Sequence, residues 1–473
     1  MSPQTGNLSK VRSKVVALVE KEEISSMAVA VAREGEILWE EAFGWADKDD
    51  EVKATPNTIY PIASLSKSLT ATGIMVLVEQ EKVSLDESVE KYIGPSPLTV
   101  YEGKASEVTV RRILNMTGGV PHGYVVWEDS HAAPTVREFI NRYGIVVFPP
   151  GEMELYSNFS YAVLELIAEN VSGRSFGDFM KTEVFYPLGM TLTSVGVPSS
   201  LELVATKYGS DMTAIQHNCF VPAAAGGIYS NIHDLIRFGM FHLKNRLPDQ
   251  RRILRDETLT AMHMTKDANL QSAIMALGWG SVTLDNSTAW ILSNGGIEGA
   301  TSMLSLVPSA NLAVVCLTNT ASKSRITDQI AIEITDALIP KFSKRVEAFM
   351  ERYESENAFK SYTSIPQLVG SWKGEIKTPE TETPIKMVFQ DNGEVHVRLD
   401  KQQEAILDNV SVRNGELKGD FRVRSPSENG TNSEQAISIH VEVRGRRMYG
   451  VATAESEARK ALLSPSYICL NKA

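Results

Sequence analysis

The sequence predicts an α+β protein with an antiparallel sheet flanked by helices, an all-helical subdomain and a small all-β C-terminal domain. Three observations predict it. Strand patterns occur at both ends of residues 1–345, helical patterns fill the middle, and short strand-like runs dominate residues 366–473. The simplest arrangement of the first part is one sheet built from both of its ends, with the helical middle packed beside it.

The N-terminal elements follow from their periodicity. Residues 8–23 show the spacing of an amphipathic helix. The run from Met27 to Gly44 has two apolar stretches around a turn at Gly35, which predicts a β-hairpin. A helix-length apolar stretch from Leu69 to Val78 then predicts a helix that begins near Ser64.

The remaining elements alternate in type. Residues 85–275 are mostly helical patterns with Pro and Gly between them, including helices near 160–171 and 231–245, the second capped by Asn231. Residues 290–296, 300–307 and 312–318 read as strands and 326–338 as a helix. Charged residues 346–365 predict a linker, and residues 366–473 a β-sandwich or barrel.

Composition limits the classes of function. The chain has 473 residues, 43% hydrophobic and 22% charged, as in ordinary globular proteins. Its formal net charge of −11 argues against nucleic-acid binding and against an anionic membrane surface. Cys219, Cys316 and Cys469 are odd in number and scattered, as in a reducing compartment. With no apolar leader or bilayer-length run visible, we expect a cytoplasmic protein.

Ser64 and Lys67 form the most informative pattern. A serine at a helix start and a lysine three residues later share one face, one turn apart. A desolvated lysine can take the proton of the serine hydroxyl, which becomes a nucleophile. The same spacing also fits an N-capping serine followed by a solvated lysine, and the spacing alone leaves both open. Ser88 and Lys91 repeat it among acidic residues, where a lysine keeps its proton.

A serine–lysine nucleophile needs a second base or proton relay, and Tyr-x-Asn supplies a phenol and an amide. Tyr-Ser-Asn occurs at residues 156–158 and again at 229–231. Tyr156 follows a Pro-Gly turn and lies on a predicted loop, whereas Tyr229 follows a run of small residues. Spacing alone does not choose between the two copies.

Four motifs in order carry a resemblance to a known family. They are Ala63-Ser-Leu-Ser-Lys-Ser68, Pro150-Gly151 with Leu155-Tyr-Ser-Asn158, Phe185-Tyr-Pro-Leu-Gly-Met190 and Ala225-Gly-Gly-Ile-Tyr-Ser230. The chain resembles the serine β-lactamase and penicillin-binding-protein superfamily over about residues 10–340. The most similar branch is related to class C β-lactamases and includes family VIII-type esterases, D-aminopeptidases and statin-type acyltransferases.

The resemblance implies roles for individual residues. Ser64 would be acylated, and Lys67 and Tyr156 would share the work of the base. Asn158 would bind or orient substrate, because the family uses the Tyr-x-Asn copy after the Pro-Gly turn. The C-terminal domain, which opens at Leu368, is weakly similar to the lipocalin-like barrel that follows this catalytic domain in some relatives.

The third family motif departs from its pattern. Where the family has a cation, a small hydroxylated residue and Gly, this chain has Ser293-Asn294-Gly295 followed by Gly296. Gly295 still lets substrate approach the strand, and the N–H groups of Gly296 and Ser64 could form the oxyanion hole. Without the cation that helps to bind a substrate carboxylate, we expect neutral esters or thioesters to be preferred over β-lactams.

The sequence therefore predicts a serine hydrolase or acyltransferase that acts through acyl-Ser64 on a small-molecule acyl substrate, with an acyl acceptor in the second case. No cofactor is expected, and the histidines lack the spacing of metal ligands. Two alternatives stay open: a non-catalytic binding or scaffold relative of the fold, and a D-amino-acid peptidase.

Overall fold

The computed structural model describes residues 3–94, 98–127, 133–265, 274–321, 325–426, 432–455 and 462–473. The helices of these residues are α1 (Pro3–Glu20), α2 (Ser66–Glu79), α3 (Glu90–Ile93), α4 (Val110–Leu114), α5 (Val136–Tyr143), α6 (Asn158–Ser172), α7 (Phe176–Met180), α8 (Ala223–Gly226), α9 (Ile232–His242), α10 (Asp256–Met262), α11 (Ile326–Leu338) and α12 (Phe342–Asn357).

The strands up to the end of the predicted linker are β1 (Ser26–Arg33), β2 (Glu36–Asp47), β3 (Val52–Lys53), β4 (Tyr60–Pro61), β5 (Thr99–Val100), β6 (Tyr124–Trp127), β7 (Ile145–Val146), β8 (Ser194–Val195), β9 (Lys207–Tyr208), β10 (Ala214–Ile215), β11 (Cys219–Val221), β12 (Ile228–Ser230), β13 (Gly280–Asp285), β14 (Thr288–Ile297), β15 (Ala300–Val307), β16 (Leu312–Thr318) and β17 (Lys360–Ser361). The later strands are β18 (Gly370–Lys377), β19 (Glu382–Phe389), β20 (Val395–Leu399), β21 (Ala405–Ile406), β22 (Asp408–Arg413), β23 (Glu416–Pro426), β24 (Asn432–Arg444), β25 (Arg447–Glu455) and β26 (Leu462–Lys472).

The chain forms two units. The first consists of the described residues within Met1–Glu87, Trp127–Ala133 and Tyr161–Arg352, and the second of those within Ser88–Val126, Pro134–Ser160 and Tyr353–Ala473. The predicted α+β class is confirmed: a sheet built from both ends of the first part is accompanied by helices, and the chain ends in an all-β region.

The sheet of the first unit has the strand order β13-β14-β15-β16-β1-β2-β3. The β1–β2 hairpin turns at Glu34 and Gly35, both with positive φ, as the Gly signal predicts. Strand β16, from late in the chain, pairs antiparallel with β1 over its whole length, Met27 opposite Thr318 and Arg33 opposite Leu312. Residues distant in sequence therefore share one rigid frame.

Alternation along β1 explains how helices cover both faces of this sheet. Val29 and Val31 belong to a buried core with residues of α1 and α11. On the opposite face Gly239 of α9 lies so close to the sheet that a β-carbon there would be 3.1 Å from Leu304 and 3.3 Å from Ala313. The small residue lets α9 pack directly on the strands.

The second unit contains a long antiparallel sheet with the order β17-β22-β23-β24-β25-β26-β18-β19-β20-β21. Trp372 is fully buried in its core and donates its indole N–H to the carbonyl of Leu368 at 2.7 Å. The strands β5 and β7 form a parallel pair in the same unit.

The segment predicted as a linker is partly helical. Helix α12 runs to Asn357, so residues 346–357 of the expected linker belong to it. Val346 is buried in the core with Phe342, and Phe349 packs against the same core. Charged residues occupy most other positions of this helix, so its overall composition is polar although one face is apolar.

Candidate active site

Ser64 lies in a 3₁₀ turn, Ala63–Leu65, that leads directly into α2. Ala63 has a φ of +48°, a left-handed conformation that costs a residue with a side chain roughly 1–3 kcal/mol. Ala63 and Leu65 are fully buried, whereas Ser64 keeps part of its surface exposed. The strained turn therefore exposes the hydroxyl of Ser64 between two buried neighbours.

Lys67 lies one turn further along, with its ammonium nitrogen directed at the serine. Its Nζ is 3.1 Å from Oγ of Ser64 and donates a hydrogen bond to the carbonyl of Ala225 at 2.8 Å. The residue is only 3% exposed, and this burial holds its pKa well below the ordinary value for lysine. A lysine in this state can accept the proton of the serine.

The polar side of α2 is fastened to one short segment, residues 223–228. Thr70 donates its hydroxyl to the carbonyl of Ala224 at 2.8 Å, and Oγ of Ser66 accepts the N–H of Ile228 at 3.2 Å. With the bond from Lys67 to Ala225, three successive contacts fix the helix against this segment. They also fix the direction in which the lysine points.

Glu165 of α6 holds the other side of the same segment. Its Oε2 accepts the N–H of Ala224 at 2.8 Å. Burial raises the pKa of Glu165 to about 8, although hydrogen bonds from the backbone of Ala224 and Ala223 act in the opposite direction. On the same helix the ring of Tyr161 lies with its centroid 5.4 Å from Nζ of Lys67.

Gly295 brings β14 against the nucleophile turn. A β-carbon on Gly295 would lie 2.6 Å from the backbone nitrogen of Ser64 and 2.3 Å from the carbonyl oxygen of Ile62. Ser302, opposite Gly295 on β15, donates its hydroxyl to that same carbonyl at 2.6 Å. The chain therefore needs a residue without a side chain here, as the sequence predicts.

The neighbours of Gly295 have different surroundings. Ser293 is buried on β14, where the family pattern has a cation. The amide of Asn294 donates to the carboxylate of Asp328 on α11 at 2.9 Å, so this side chain is engaged there and the structure does not bring it to Ser64. Gly296 is exposed and pairs with Thr301. The substrate and oxyanion roles of these residues stay predictions.

Tyr156 and Asn158 belong to the second unit. Tyr156 is 47% exposed on the loop before α6, with its ring centroid 5.4 Å from that of His122. The N–H of Asn158 donates to Nδ1 of His122 at 3.2 Å, so the neutral imidazole carries its proton on Nε2. The catalytic and substrate-binding roles assigned to these two residues stay predictions.

In the second Tyr-Ser-Asn copy the tyrosine is buried and the asparagine caps a helix. Tyr229 is 4% exposed on β12, and its hydroxyl lies 3.2 Å from Nδ1 of His217. Burial raises the pKa of Tyr229 far above its ordinary value, so the phenol keeps its proton. Asn231 caps α9 by accepting the N–H of Asp234 at 2.7 Å, as predicted.

The second Ser-x-x-Lys sequence lacks the features of the first. Ser88 donates its hydroxyl to the carbonyl of Ala105 at 3.0 Å, and Lys91 is exposed. In the described parts of the chain, no group of three or more His, Cys, Asp or Glu side chains is arranged to hold a metal ion. Among the same residues, no helix is long and apolar enough to cross a bilayer.

Sequence reasoning missed two contributors to the site and one buried lysine elsewhere in the first unit. The carbonyl of Ala225 is a backbone acceptor, which leaves no signal in residue type. Glu165 looks like an exposed position of an amphipathic helix, and Lys207, a buried lysine on β9, looks like any surface lysine. A carboxyl between Leu164 and Leu166 in an apolar helix is the one available hint for Glu165.

One known protein family covers most of this chain. A family model described as Beta-lactamase matches residues 11–337. Penicillin-binding protein 4* of Bacillus subtilis (strain 168) is 34% identical over 186 residues, which are 38% of this chain and 39% of that protein. The chain thus covers under two fifths of the length of the first curated relatives that it matches.

Solved structures share the fold at low identity. The structure of SurE superposes with a TM-score of 0.66 at 19% identity and covers 100% of both chains. EstCE1, described as a hydrolase with promiscuous acyltransferase activity, superposes with a TM-score of 0.56 at 18% identity, covering 70% of this chain and 98% of its own.

Proposed function

Because this chain belongs to the beta-lactamase family, we propose that it is a serine hydrolase or acyltransferase working through an acyl-Ser64 intermediate. Its substrates would be small-molecule esters, thioesters or amides. One observation carries the proposal: Nζ of a buried Lys67 lies 3.1 Å from Oγ of Ser64, on a turn that exposes the serine. A capping serine with a solvated lysine would not bury the amine.

Acylation follows from this pair. Neutral Lys67 accepts the hydroxyl proton as Oγ of Ser64 bonds to the acyl carbon, and the carbonyl oxygen becomes an oxyanion. The N–H of Ser64 and a strand N–H beside Gly295 are the proposed donors for that oxygen. The bond to the leaving group then breaks, and the leaving oxygen, sulfur or nitrogen takes the proton from Lys67, directly or through the phenol of Tyr156.

Deacylation repeats the step with a second nucleophile. Water or an acceptor alcohol or amine gives its proton to the base and bonds to the acyl carbon. The bond to Oγ of Ser64 breaks, and the serine regains its proton. Hydrolysis and acyl transfer differ only in this nucleophile. EstCE1, whose description combines both activities, supports keeping the two outcomes together.

Esters and thioesters are the proposed preference. Their leaving groups need less protonation than the amine of an amide, which suits a site with one buried amine as its base. Ser293 supplies no charge at the position where the family places a cation. A carboxylate next to the scissile bond would then lose its solvation without gaining a partner.

The test is covalent labelling. The wild-type protein is incubated with a fluorophosphonate, and its rate of p-nitrophenyl acetate cleavage is measured. We expect one adduct on the peptide that contains Ser64, and loss of both activities in Ser64→Ala. Ser88→Ala is the matched control, since it removes the serine of the other Ser-x-x-Lys sequence and should leave both activities unchanged. An adduct on another residue, or full activity of Ser64→Ala, would refute the proposal.

A further inference from the structure

Lys207 on β9 is a buried cation that the proposed chemistry does not use. The residue is 4% exposed, and its ammonium has no hydrogen bond or ion pair with any residue that the structure describes. Its ammonium nitrogen is not among the fully buried side-chain atoms that lack a partner, so the nitrogen retains a small contact with solvent through which a ligand can reach it. An ammonium with so little access to water loses hydration and has no ion pair in return, which makes an incoming anion a favourable partner.

The described surroundings of Lys207 give this charge no ion pair. Glu298 is near enough to favour the charged lysine, yet no ion pair joins the two, and Glu298 itself is exposed. His217 lies on the other side. Burial, and secondarily the charge of Lys207, lower the pKa of His217 to about 4, so this ring is neutral. Neither of these neighbours therefore pairs with the ammonium of Lys207 as an anion.

The lysine is built into the same frame as Ser64. Gly299, at the tip of the β14–β15 hairpin, approaches Lys207 so closely that a β-carbon on the glycine would be 2.7 Å from Cβ of the lysine. Gly295 on the same hairpin touches the backbone of Ser64. The two glycines are four positions apart, about 13 Å along an extended strand, so Lys207 and Ser64 contact the same hairpin at two separate points.

A second connection leads to the same place. Tyr229, whose hydroxyl contacts His217, pairs through its backbone with Pro61, three residues before the nucleophile. The cluster of Lys207, His217 and Tyr229 is therefore positioned by both walls that hold Ser64: the β14–β15 hairpin and the β4–β12 pair. All of these residues lie in the first unit.

We propose that Lys207 forms a distal anion subsite, which binds a carboxylate at the far end of the acyl chain whose carbonyl is attacked by Ser64. This inference rests on the proposed function and names its substrate class: acyl donors with a neutral scissile end and an anionic far end. The separation from Ser64 distinguishes this subsite from the family cation position at Ser293, which lies next to the scissile bond.

The experiment compares acyl donors of increasing length. The mono-p-nitrophenyl esters of succinic, adipic and suberic acid are each measured for release of p-nitrophenol. Each is compared with the diester in which the far carboxyl is methylated, called here the methyl ester, which has the same chain and the same scissile bond without the charge. We expect kcat/KM of the wild type to favour the free acid by about tenfold or more for the longest chain, the size of a charge-assisted hydrogen bond. The shortest chain, which cannot reach Lys207, should show no such preference.

Two variants assign the effect. Lys207→Met keeps the unbranched stem beside Gly299 and removes the charge, so it should abolish the preference for the long acid while the methyl esters react as before. Glu298→Gln removes a competing negative charge and should increase the preference. Cleavage of the methyl esters by Lys207→Met also shows that this variant is folded.

The outcomes separate the two proposals. If the methyl esters are cleaved through Ser64 but the acids gain nothing at any length, the subsite is refuted and the proposed function stands. The same conclusion follows if the preference persists in Lys207→Met. If no ester is cleaved and Ser64 is not labelled, the proposed function fails, and the subsite fails with it.

Discussion

At the scale of single residues, the two Tyr-Ser-Asn copies differ in what their phenols can do. Tyr229 is buried against His217, and its raised pKa keeps it protonated, which excludes it as a base near neutral pH. Tyr156 is 47% exposed on a loop. The choice between the copies, which the sequence makes through the family resemblance alone, gains a physical reason against Tyr229.

We therefore predict that Tyr156→Phe lowers kcat for a neutral ester by about 10²–10⁴-fold, the usual cost of a lost general acid or base. Tyr229→Phe, the matched control, should change kcat little because its hydroxyl takes no part in proton transfer. Steady-state rates with p-nitrophenyl acetate decide the question. Equal losses in both variants, or a larger loss in Tyr229→Phe, would contradict the assignment of proton transfer to Tyr156.

At the scale of elements, the site depends on how closely strand β14 approaches the turn before α2. A methyl group at position 295 would overlap the nitrogen of Ser64 and the carbonyl of Ile62, both of them backbone atoms that cannot rotate away. At Gly296 the nearest atom to an added β-carbon is Cγ2 of Thr301 at 3.9 Å, an ordinary contact. Position 295 therefore has no room for a side chain, whereas position 296 has room for a methyl group.

Gly295→Ala should accordingly displace the nucleophile turn, with a loss of about 1–3 kcal/mol in the free energy of unfolding and a large fall in kcat. Gly296→Ala should retain most activity, since it keeps its backbone N–H and meets no neighbour. Urea denaturation and ester turnover of both variants provide the measurement. A fully active Gly295→Ala would mean that the strand can move away from Ser64 at little cost.

The same elements explain what could be predicted from sequence. Ser64 and Lys67 are separated by one helical turn, so their proximity follows from local geometry. The β1–β2 hairpin and α11 also carry strong local signals, and the structure has them where the patterns place them. Glu165 and the carbonyl of Ala225 take part through contacts between distant segments, and the burial of Lys207 beside Gly299 depends on distant segments too. No local pattern encodes such contacts. Helix α12 has the composition of a linker because charges cover its exposed face.

At the scale of the whole molecule, buried ionisable groups make stability depend on pH in two opposite directions. Glu165 has an ordinary pKa of 4.5 and a folded-state pKa of about 8, so the folded protein holds its proton more tightly. Its contribution is fully present below pH 4.5 and is lost as the pH rises through about 8, at about 1.4 kcal/mol per pH unit between them.

A pair of histidines acts in the other direction. Nδ1 of His242 lies 3.2 Å from Nε2 of His263, and Nε2 of His242 contacts the hydroxyl of Thr72. Burial holds the pKa of His242 well below 6.5, and burial with the charge of Lys244 lowers that of His263 to about 3. Both rings stay neutral in the folded protein, so stability is present above pH 6.5 and falls as the pH drops towards 3.

The difference in unfolding free energy between a variant and the wild type, followed against pH, isolates the contribution of one titrating group. Lys67, with its lowered pKa, gains stability with rising pH and partly masks the effect of Glu165 in the wild type. Glu165→Gln keeps a carbonyl acceptor for Ala224 and cannot titrate. Relative to wild type it should therefore become progressively more stable between pH 4.5 and 8.

His263→Gln removes one titrating ring, so relative to wild type it should gain stability as the pH falls from 6.5, by about 1.4 kcal/mol per unit. His233→Gln is the control: its ring is paired with Glu40, which raises its pKa, so its removal should have the opposite sign on the acid side. Urea unfolding free energies across pH 4–9 measure all three variants. A difference curve for Glu165→Gln that is flat across this range would mean that Glu165 is ionised in the folded protein, and the segment that holds Lys67 would then rest on a charged carboxylate.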